Sequence, residues 1–244
     1  MKKTVFAAAL ALAITASGAA LAEQGVAYGV YHQAGEHPDS LIRVTMDCDG
    51  ELVTGVQIDE KLIPYTVSGA EGWAELDDET AAKLGDAVLE VNGKKYPASF
   101  ELGSVVFTGA ASEEGLVYTG DVNGETVDLM DYICTDEGGA WYYDSAVAKL
   151  LDAQGNEAAE IEIGTKASIQ HGVAFWPSEI TFPGNIERIE NYLTENGVNY
   201  TEDQIVKGED GAWEVADVTT GATLAGTKNY LLIAQQAYEK AQAK

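Results

Sequence analysis

Tight-turn signals recur through the N-terminal half of the chain, and they govern how its strands can pair. The signals are Asp49-Gly50, Asn92-Gly93 and Asn123-Gly124. Such dipeptides accept the positive φ angles of the two-residue turns that close β-hairpins. The segments between them are short and apolar, and neither a strand–helix–strand alternation nor a glycine-rich nucleotide-binding motif interrupts them. We therefore predict an antiparallel sheet here rather than a parallel, doubly wound one.

The hairpin at Asp49-Gly50 also predicts which side chains lie together. Alternating apolar residues place strands over Leu41–Asp47 and Leu52–Ile58, after an earlier strand over Val26–His32. Because successive side chains of a strand point to opposite faces, one face of this hairpin should be apolar. The residues expected on that face are Ile42, Val44, Met46, Val56 and Ile58.

Hydrophobic spacing assigns the remaining segments to strands and helices. The predicted strands are Phe100–Thr108, Leu116–Gly120, Thr126–Ile133 and Ile161–Ile169. The predicted helices lie over Leu76–Leu89, over Tyr142–Leu151, between an N-cap at Asn185 and a stop at Gly197, and from Tyr230 onward. The predicted fold class is α+β, with an antiparallel sheet-rich N-terminal part and helices packed on it, mostly from the second half of the chain.

Residues 1–22 have the pattern of a secretory signal peptide. Lys2 and Lys3 precede an apolar run over Val5–Ile14, and Ala20-Leu21-Ala22 offers a small-x-small cleavage site. The apolar run is too short to span a bilayer. We expect residues 23–244 to form a single domain that is exported to a periplasmic or extracellular location.

The chain is strongly acidic, with 40 Asp and Glu against 14 Lys and Arg and a formal net charge of −26. This balance disfavours binding to nucleic acid or to an anionic membrane, and it favours basic partners. Because 46% of the residues are hydrophobic, the charge does not imply disorder. The composition predicts a folded acidic protein.

A hydroxyl-rich segment near the C-terminus, Asp217–Thr223, is the main candidate for a functional site. It reads Asp217-Val218-Thr219-Thr220-Gly221-Ala222-Thr223, and an amphipathic helix follows it. One interpretation is that Thr220 or Thr223 only caps this helix, with Gly221 supplying a tight turn. The other is that the segment binds an anion such as phosphate, which unpaired N–H groups at a helix start favour.

The segment resembles the Asp-x-x-(Ser/Thr)-Gly-Ala-Thr motif of the FMN-binding domain family, covalently flavinylated proteins similar to the flavoprotein subunits of Rnf and sodium-pumping NADH:quinone reductase complexes. In that family a flavin transferase joins FMN through its phosphate to the last Thr. The resemblance implies that Thr223 is the acceptor and that four residues surround it: Asp217, Thr220, Gly221 and Ala222. Asp217 would position the hydroxyl or a magnesium ion during attachment. The family's usual His-x-Glu-Thr-Pro-Gly-like segment is absent, with only Phe182-Pro183-Gly184 as a partial match.

What the resemblance implies for function is an exported electron-transfer flavoprotein with FMN as its cofactor. Its redox partner would be a cytochrome or a flavin-dependent reductase. Candidates for contact with the flavin ring are His171, Phe175 and Trp176, because flat aromatic groups offer a large stacking area. The alternative for both aromatic residues is packing against the helix after Asn185. Weaker candidates for ring contact are Trp141, Tyr142 and Tyr143.

Two other functions stay open on the sequence alone. One is an exported binding protein that holds FMN or another phosphate-bearing ligand without a covalent bond. The other is an acidic interaction protein with no cofactor. No motif predicts a stand-alone enzyme, and the three His residues are too scattered in the sequence to predict a zinc site. Cys48 and Cys134 either pair as a disulfide, which export permits, or remain separate thiols.

Overall fold

The structure, a computed structural model, describes residues 23–32, 39–63, 76–91, 93–112, 115–166 and 180–243. The signal peptide predicted over residues 1–22 lies outside the described residues. In chain order the strands are β1 (Glu23–Tyr31), β2 (Ser40–Asp49), β3 (Leu52–Leu62), β4 (Val88–Val91), β5 (Lys94–Pro97), β6 (Ser99–Leu102), β7 (Val105–Ser112), β8 (Gly115–Val122), β9 (Glu125–Asp128), β10 (Val147–Leu151), β11 (Glu157–Glu162), β12 (Ile205–Lys207), β13 (Trp213–Val215) and β14 (Val218–Thr219). The helices are α1 (Asp78–Leu84), α2 (Leu129–Ile133), α3 (Asp136–Asp144), α4 (Phe182–Asn196) and α5 (Thr227–Gln242).

The predicted fold class is confirmed, since the sheets are antiparallel and lie mostly in the N-terminal part, while most of the helical residues lie in the second half. The strands form sheets in the orders β1-β2-β3, β11-β10-β6-β7-β8-β9, β12-β13-β14 and β4-β5. Within the described ranges, no helix is long and apolar enough to cross a membrane.

The three-stranded sheet β1-β2-β3 is central because both hydrophobic cores of the protein pack on it. Its β2–β3 hairpin pairs residues that were predicted to share one face, with Val44 opposite Ile58 and Met46 opposite Val56. Ile42 pairs with Glu60, which places a carboxylate on the otherwise apolar face. The other two turn signals also join paired strands, β4 with β5 and β8 with β9.

Helix α5 crosses one face of this sheet at unusually short range, and glycines in β1 make that possible. A Cβ at Gly25 would lie 1.8 Å from the carbonyl oxygen of Ala237, and one at Gly29 would lie 2.6 Å from Cδ1 of Ile233. At the other end of β1, Tyr31 contacts Gly226, just before the helix. The helix therefore runs antiparallel to β1, and its first turn lies at the Tyr31 end of the sheet.

Each face of the central sheet has its own core. Helices α4 and α5 and the small sheet β12-β13-β14 cover one face, which we call the helix face. Helices α1, α2 and α3 and the strands from β4 to β10 build the core on the opposite face. Strands β1 and β2 contribute residues to both cores, whereas the core residues of β3 lie on the helix face, so the two packing layers share one sheet.

The helix predicted over Tyr142–Leu151 is wrong for most of its length. Helix α3 ends at Asp144, and the following residues form β10 between β6 and β11. Ala146 and Leu150 have helical spacing, but the same residues also alternate as a strand does. Pairing with two neighbouring strands, which the local pattern does not reveal, selects the strand.

Two predicted strands are each interrupted at a single residue. Thr126–Ile133 is a strand only as far as Asp128, whose carboxylate then caps α2. Phe100–Thr108 divides into β6 and β7 at a turn that contains Gly103, with a φ of 61°. In both cases a residue suited to a cap or to a left-handed turn interrupts an apolar run.

Two further predicted boundaries were too long. Of the helix predicted over Leu76–Leu89, only α1 is helical, because the chain turns at Gly85 with a φ of 58°. Of the strand predicted over Ile161–Ile169, only the first two residues belong to β11, and residues 167–169 lie outside the described residues.

Lys61 joins the central sheet to the C-terminal end of α3 on the opposite face. Its ammonium donates to the carbonyl oxygens of Tyr142 and Tyr143, each at 3.0 Å, and also to that of Ser145. These carbonyls end a helix, where a cation is favourable. Burial lowers the pKa of Lys61 to about 8.

The two cysteines are separate thiols in this structure. Cys48 is buried in the core of the helix face, whereas Cys134 is exposed at the end of α2. Burial raises the pKa of the Cys48 thiol. The alternative of a disulfide, left open by the sequence, is thus not the one that the structure adopts.

Buried tyrosines should make the protein unfold in alkali. Burial raises the pKa of Tyr142, Tyr200 and Tyr230 above the ordinary value of 10.0. Above pH 10 the unfolded chain releases these protons while the folded chain keeps them, so stability falls with rising pH. These three groups, at roughly 1.4 kcal/mol per pH unit each, give a slope of at least about 4 kcal/mol per unit, and Tyr143, whose pKa burial also raises, adds to it. Lys61 acts in the opposite direction, but its contribution ends near its unfolded pKa of 10.5.

Urea unfolding between pH 9 and pH 12 measures this slope, with tyrosinate absorbance recorded in parallel. Tyr200→Phe removes one ionisable group and should reduce the slope by about 1.4 kcal/mol per pH unit. Titration of all tyrosines near pH 10 in a protein that stays folded would contradict the expectation.

Candidate functional site

The predicted motif begins at the tip of the small hairpin between β13 and β14. Ala216 and Asp217 form its two-residue turn, with φ angles of 49° and 67°. Asp is among the residues that accept this left-handed conformation most readily. The Asp217 side chain is exposed there. Asp217 is therefore available to another molecule, and no hydrogen bond joins it to Thr223 in the described part of the chain.

The middle of the motif is tied to Trp213 on the neighbouring strand. The Trp213 carbonyl accepts from the backbone N–H and the hydroxyl of Thr220, each at 2.8 Å, and the Trp213 N–H donates to the Ala222 carbonyl at 2.8 Å. Thr220 and Ala222 are buried. Gly221 between them has a φ of 70°, which favours glycine. These three residues hold the loop in shape.

Asn185 connects this loop to the start of α4. Its Nδ2 group donates to the carbonyls of Ile180 and Thr181, both at 3.1 Å. Its Oδ1 atom accepts from the Thr223 backbone N–H at 2.7 Å. The prediction of Asn185 as the N-cap of this helix is wrong, because the Thr181 side chain caps it by accepting from the Gly184 N–H. Asn185 is instead fully buried inside the first turn of the helix.

Thr223 presents a hydroxyl that is oriented from one side. The hydroxyl donates to Asn185 Oδ1 at 3.3 Å, and the residue is half-buried. Since the hydrogen points toward Asn185, the lone pairs of the Thr223 oxygen point away from it. The structure thus places a hydroxyl with a defined direction at the last position of the motif.

Neither Thr220 nor Thr223 caps the helix that follows, so the capping interpretation is wrong. Helix α5 has Gly226 as its N-cap, with no side-chain hydrogen bond to the cap, and starts at Thr227. The Thr227 hydroxyl donates to the Leu224 carbonyl at 2.8 Å. Thr223 lies three residues before the N-cap, on the loop rather than on the helix. Gly197, by contrast, ends α4 as predicted.

A cation lies against the motif. Arg188 on α4 is exposed, and its Nη1 group donates to the Gly221 carbonyl at 2.7 Å. A Cβ at Gly221 would lie 3.3 Å from that nitrogen. The guanidinium therefore sits beside the loop two residues from Thr223, in a chain whose formal net charge is −26.

Behind the loop, the helix face contains a buried charged network that the sequence analysis missed. Lys166 and Glu60 form an ion pair, and the Tyr230 hydroxyl donates to the second oxygen of Glu60. All three residues are at most 3% exposed. The Lys166 ammonium also lies 5.7 Å from the ring centroid of Phe182, the first residue of α4. The sequence did contain a signal: Glu60 continues the two-residue alternation of Val56 and Ile58 in β3, which places its side chain on the apolar face.

The aromatic candidates for ring contact divide into two groups. His171, Phe175 and Trp176 lie outside the described residues. Tyr142 and Tyr143 belong to the core on the opposite face of the central sheet, as does Trp141 at its margin. The central sheet separates these last three residues from Thr223, so they do not form part of this site.

Asn185 is expected to be the residue on which the loop most depends. Asn185→Ala removes two donated and up to two accepted hydrogen bonds from a fully buried position, which should cost about 3 kcal/mol of unfolding free energy. Asn196→Ala is the matched control, because Asn196 is exposed at the other end of α4 and makes one such bond, to the Tyr192 carbonyl. Urea unfolding compares the two variants. Equal losses would show that the Asn185 connection is unimportant.

Taken together, the loop carries a directed hydroxyl at Thr223, and the Arg188 guanidinium of α4 lies beside the same loop. This arrangement can accept a phosphoryl group on the hydroxyl oxygen and can neutralise part of its charge. No family model, curated protein or solved structure matches the chain. The chemistry of the site therefore rests on its own residues.

Proposed function

We propose that this chain is an exported electron-transfer flavoprotein that carries FMN joined through its phosphate to Thr223. The observation that carries the proposal is the Thr223 hydroxyl, which is half-buried, oriented by Asn185, and placed on the loop that holds the Asp217–Thr223 motif. A threonine that only stabilised a helix would lie at its N-cap, and this one does not. The motif and the position of this hydroxyl both support Thr223 as the acceptor.

The residues around Thr223 fit a phosphate ester. Among the described residues, the hydrogen-bond partner of the Thr223 hydroxyl is Asn185 Oδ1. When the hydroxyl proton is lost, Asn185 Oδ1 still accepts from the backbone N–H of Thr223. Arg188 supplies positive charge beside the loop. Because the Ala222 side chain points into the core, it leaves the outer side of the loop free of bulk. When bound, FMN supplies one- or two-electron transfer, and the protein sets its position and exposure.

Attachment would be a phosphoryl transfer with Thr223 Oγ1 as the nucleophile. Its donor must be an activated flavin phosphate such as a flavin dinucleotide. The bond from Oγ1 to phosphorus forms, the bond from phosphorus to the leaving phosphate breaks, and the hydroxyl proton passes to a base of the flavin transferase. No electrons are exchanged in this step. The exposed Asp217 would contact the transferase or its metal ion rather than the Thr223 hydroxyl, which Asn185 already orients.

Asp217→Asn should reduce flavin loading without unfolding the protein. Asparagine accepts the same left-handed turn conformation, so we expect a change in stability of less than about 0.5 kcal/mol. Loss of the carboxylate should lower the initial rate of loading by about tenfold or more, because the carboxylate holds the metal ion of the transferase that neutralises the phosphate charge. The rate is measured by in-gel flavin fluorescence with a purified transferase. Glu209→Gln, which removes an exposed charge from the turn at the other end of β13, is the control, and equal rates for both variants would remove the proposed role.

Denaturing extraction separates this function from reversible ligand binding. The mature chain, co-expressed with a flavin transferase, is precipitated with acid and washed. A covalent ester keeps the flavin fluorescence with the polypeptide, whereas a reversible binding protein releases all of it to the supernatant. Complete release in the presence of an active transferase would contradict the proposal.

A further inference from the structure

Arg188 occupies an exceptional position for a basic residue of this protein. The chain has only two arginines, and the other, Arg43, is paired with Asp59 on the opposite face of the central sheet. Arg188 is exposed and uses one guanidinium N–H on the Gly221 carbonyl. A guanidinium has five N–H donors, so the bond to Gly221 fixes its position without exhausting its capacity.

The same face of α4 carries both residues that touch the motif. Asn185 and Arg188 are three residues apart, so their side chains lie on one side of the helix. Asn185 contacts Thr223, and Arg188 contacts Gly221. Two residues of extended chain span at most about 7 Å, which is within reach of a long arginine side chain. A group attached to the Thr223 oxygen would therefore lie close to the guanidinium.

We propose that Arg188 binds the phosphate of the flavin at Thr223, and so makes the site selective for a phosphorylated flavin over riboflavin. This inference rests on the proposed function, because it takes a flavin as the ligand. Arginine matches phosphate with two parallel N–H···O bonds, which a neutral ribityl chain does not offer. The formal net charge of −26 repels a dianion at long range, so recognition of phosphate requires a local cation.

The test uses the mature chain purified without a flavin transferase, so that no covalent bond forms. Quenching of flavin fluorescence measures the dissociation constants of FMN and riboflavin at low salt. We expect FMN to bind about tenfold more tightly than riboflavin, the effect of one charge-assisted contact. The preference should shrink as salt is added, and inorganic phosphate should compete with FMN.

Arg188→Gln should reduce FMN affinity to that of riboflavin and leave riboflavin affinity unchanged. Arg188→Lys keeps the charge without the fork of donors and should retain part of the preference. Lys83→Gln removes an exposed positive charge from α1, which packs on the opposite face of the central sheet, and it should retain the full preference for FMN. Equal binding of FMN and riboflavin, a preference that survives Arg188→Gln, or no measurable FMN binding would each overturn the inference.

The inference and the proposed function can fail separately. If an active transferase leaves Thr223 unmodified while the FMN preference still depends on Arg188, the covalent function fails and the phosphate-binding role stands. If Thr223 is modified but the preference does not depend on Arg188, only the inference fails. Covalent loading and reversible binding are thus measured on the same variants with independent signals.

Discussion

Thr223→Val is expected to yield a folded protein that carries no covalent flavin. Valine keeps the branched shape of threonine and removes only the hydroxyl. The backbone N–H of Thr223 still donates to Asn185, so the unfolding free energy should change by less than about 1 kcal/mol. Loading should fall from nearly complete to undetectable, because the nucleophilic oxygen is absent. In-gel flavin fluorescence after co-expression with a transferase measures the loss.

Two variants of the same loop make the result specific. Thr219→Val is the same substitution at an exposed position four residues earlier. It removes the hydroxyl that accepts from the Gly221 N–H at 3.1 Å but leaves the acceptor oxygen of Thr223 in place, so it should still load. Thr223→Ser keeps the hydroxyl but loses the methyl group that restricts its rotation, and it should load slowly. Fluorescence retained by Thr223→Val would show that another residue is the acceptor.

Lys166→Met is expected to be the most destabilising single change on the helix face. It leaves the Glu60 carboxylate without its ion-pair partner in a buried position, where the loss of one partner costs about 3–5 kcal/mol. Replacing both residues, as Lys166→Met with Glu60→Leu, removes the orphaned charge and should recover much of that loss. The unfolding free energies of both single variants and the double variant measure the coupling by a double-mutant cycle.

An exposed ion pair provides the comparison for this network. Lys149 pairs with Glu157 at 3.2 Å, and both side chains are more than 40% exposed. Lys149→Met should cost less than about 1 kcal/mol, because solvent and salt screen the pair. A cost for Lys166→Met no larger than that for Lys149→Met would show that the buried network contributes little.

Local patterns predicted the parts of the fold that local interactions determine. The alternation of apolar residues on either side of the turn predicted which residues share a face of the β2–β3 hairpin, because the two-residue period acts within each strand. The turn itself lies one residue later than Asp49-Gly50, since Asp49 pairs with Leu52. The segment 142–151 was misassigned for the opposite reason. Its strand character comes from pairing with β6 and β11, and no spacing within the segment records those partners.

The candidate site divides in the same way. The loop Asp217–Thr223 is contiguous, so its motif can be recognised in the sequence. Asn185 lies 38 residues before Thr223, and Arg188 lies 33 residues before Gly221. Helix α4, which carries both residues, brings them to the loop. Glu60 and Lys166 form a buried ion pair although they are 106 residues apart in the sequence. Sequence spacing carries no record of such contacts.

The proposed phosphoester bond between Thr223 and FMN is tested by the intact mass of the mature protein. The chain is co-expressed with a flavin transferase in the export compartment, and its tryptic peptides are mapped. We expect an added mass of one FMN less water, located on Thr223 and absent from Thr223→Val. An unmodified mass in the presence of a functional transferase would contradict it.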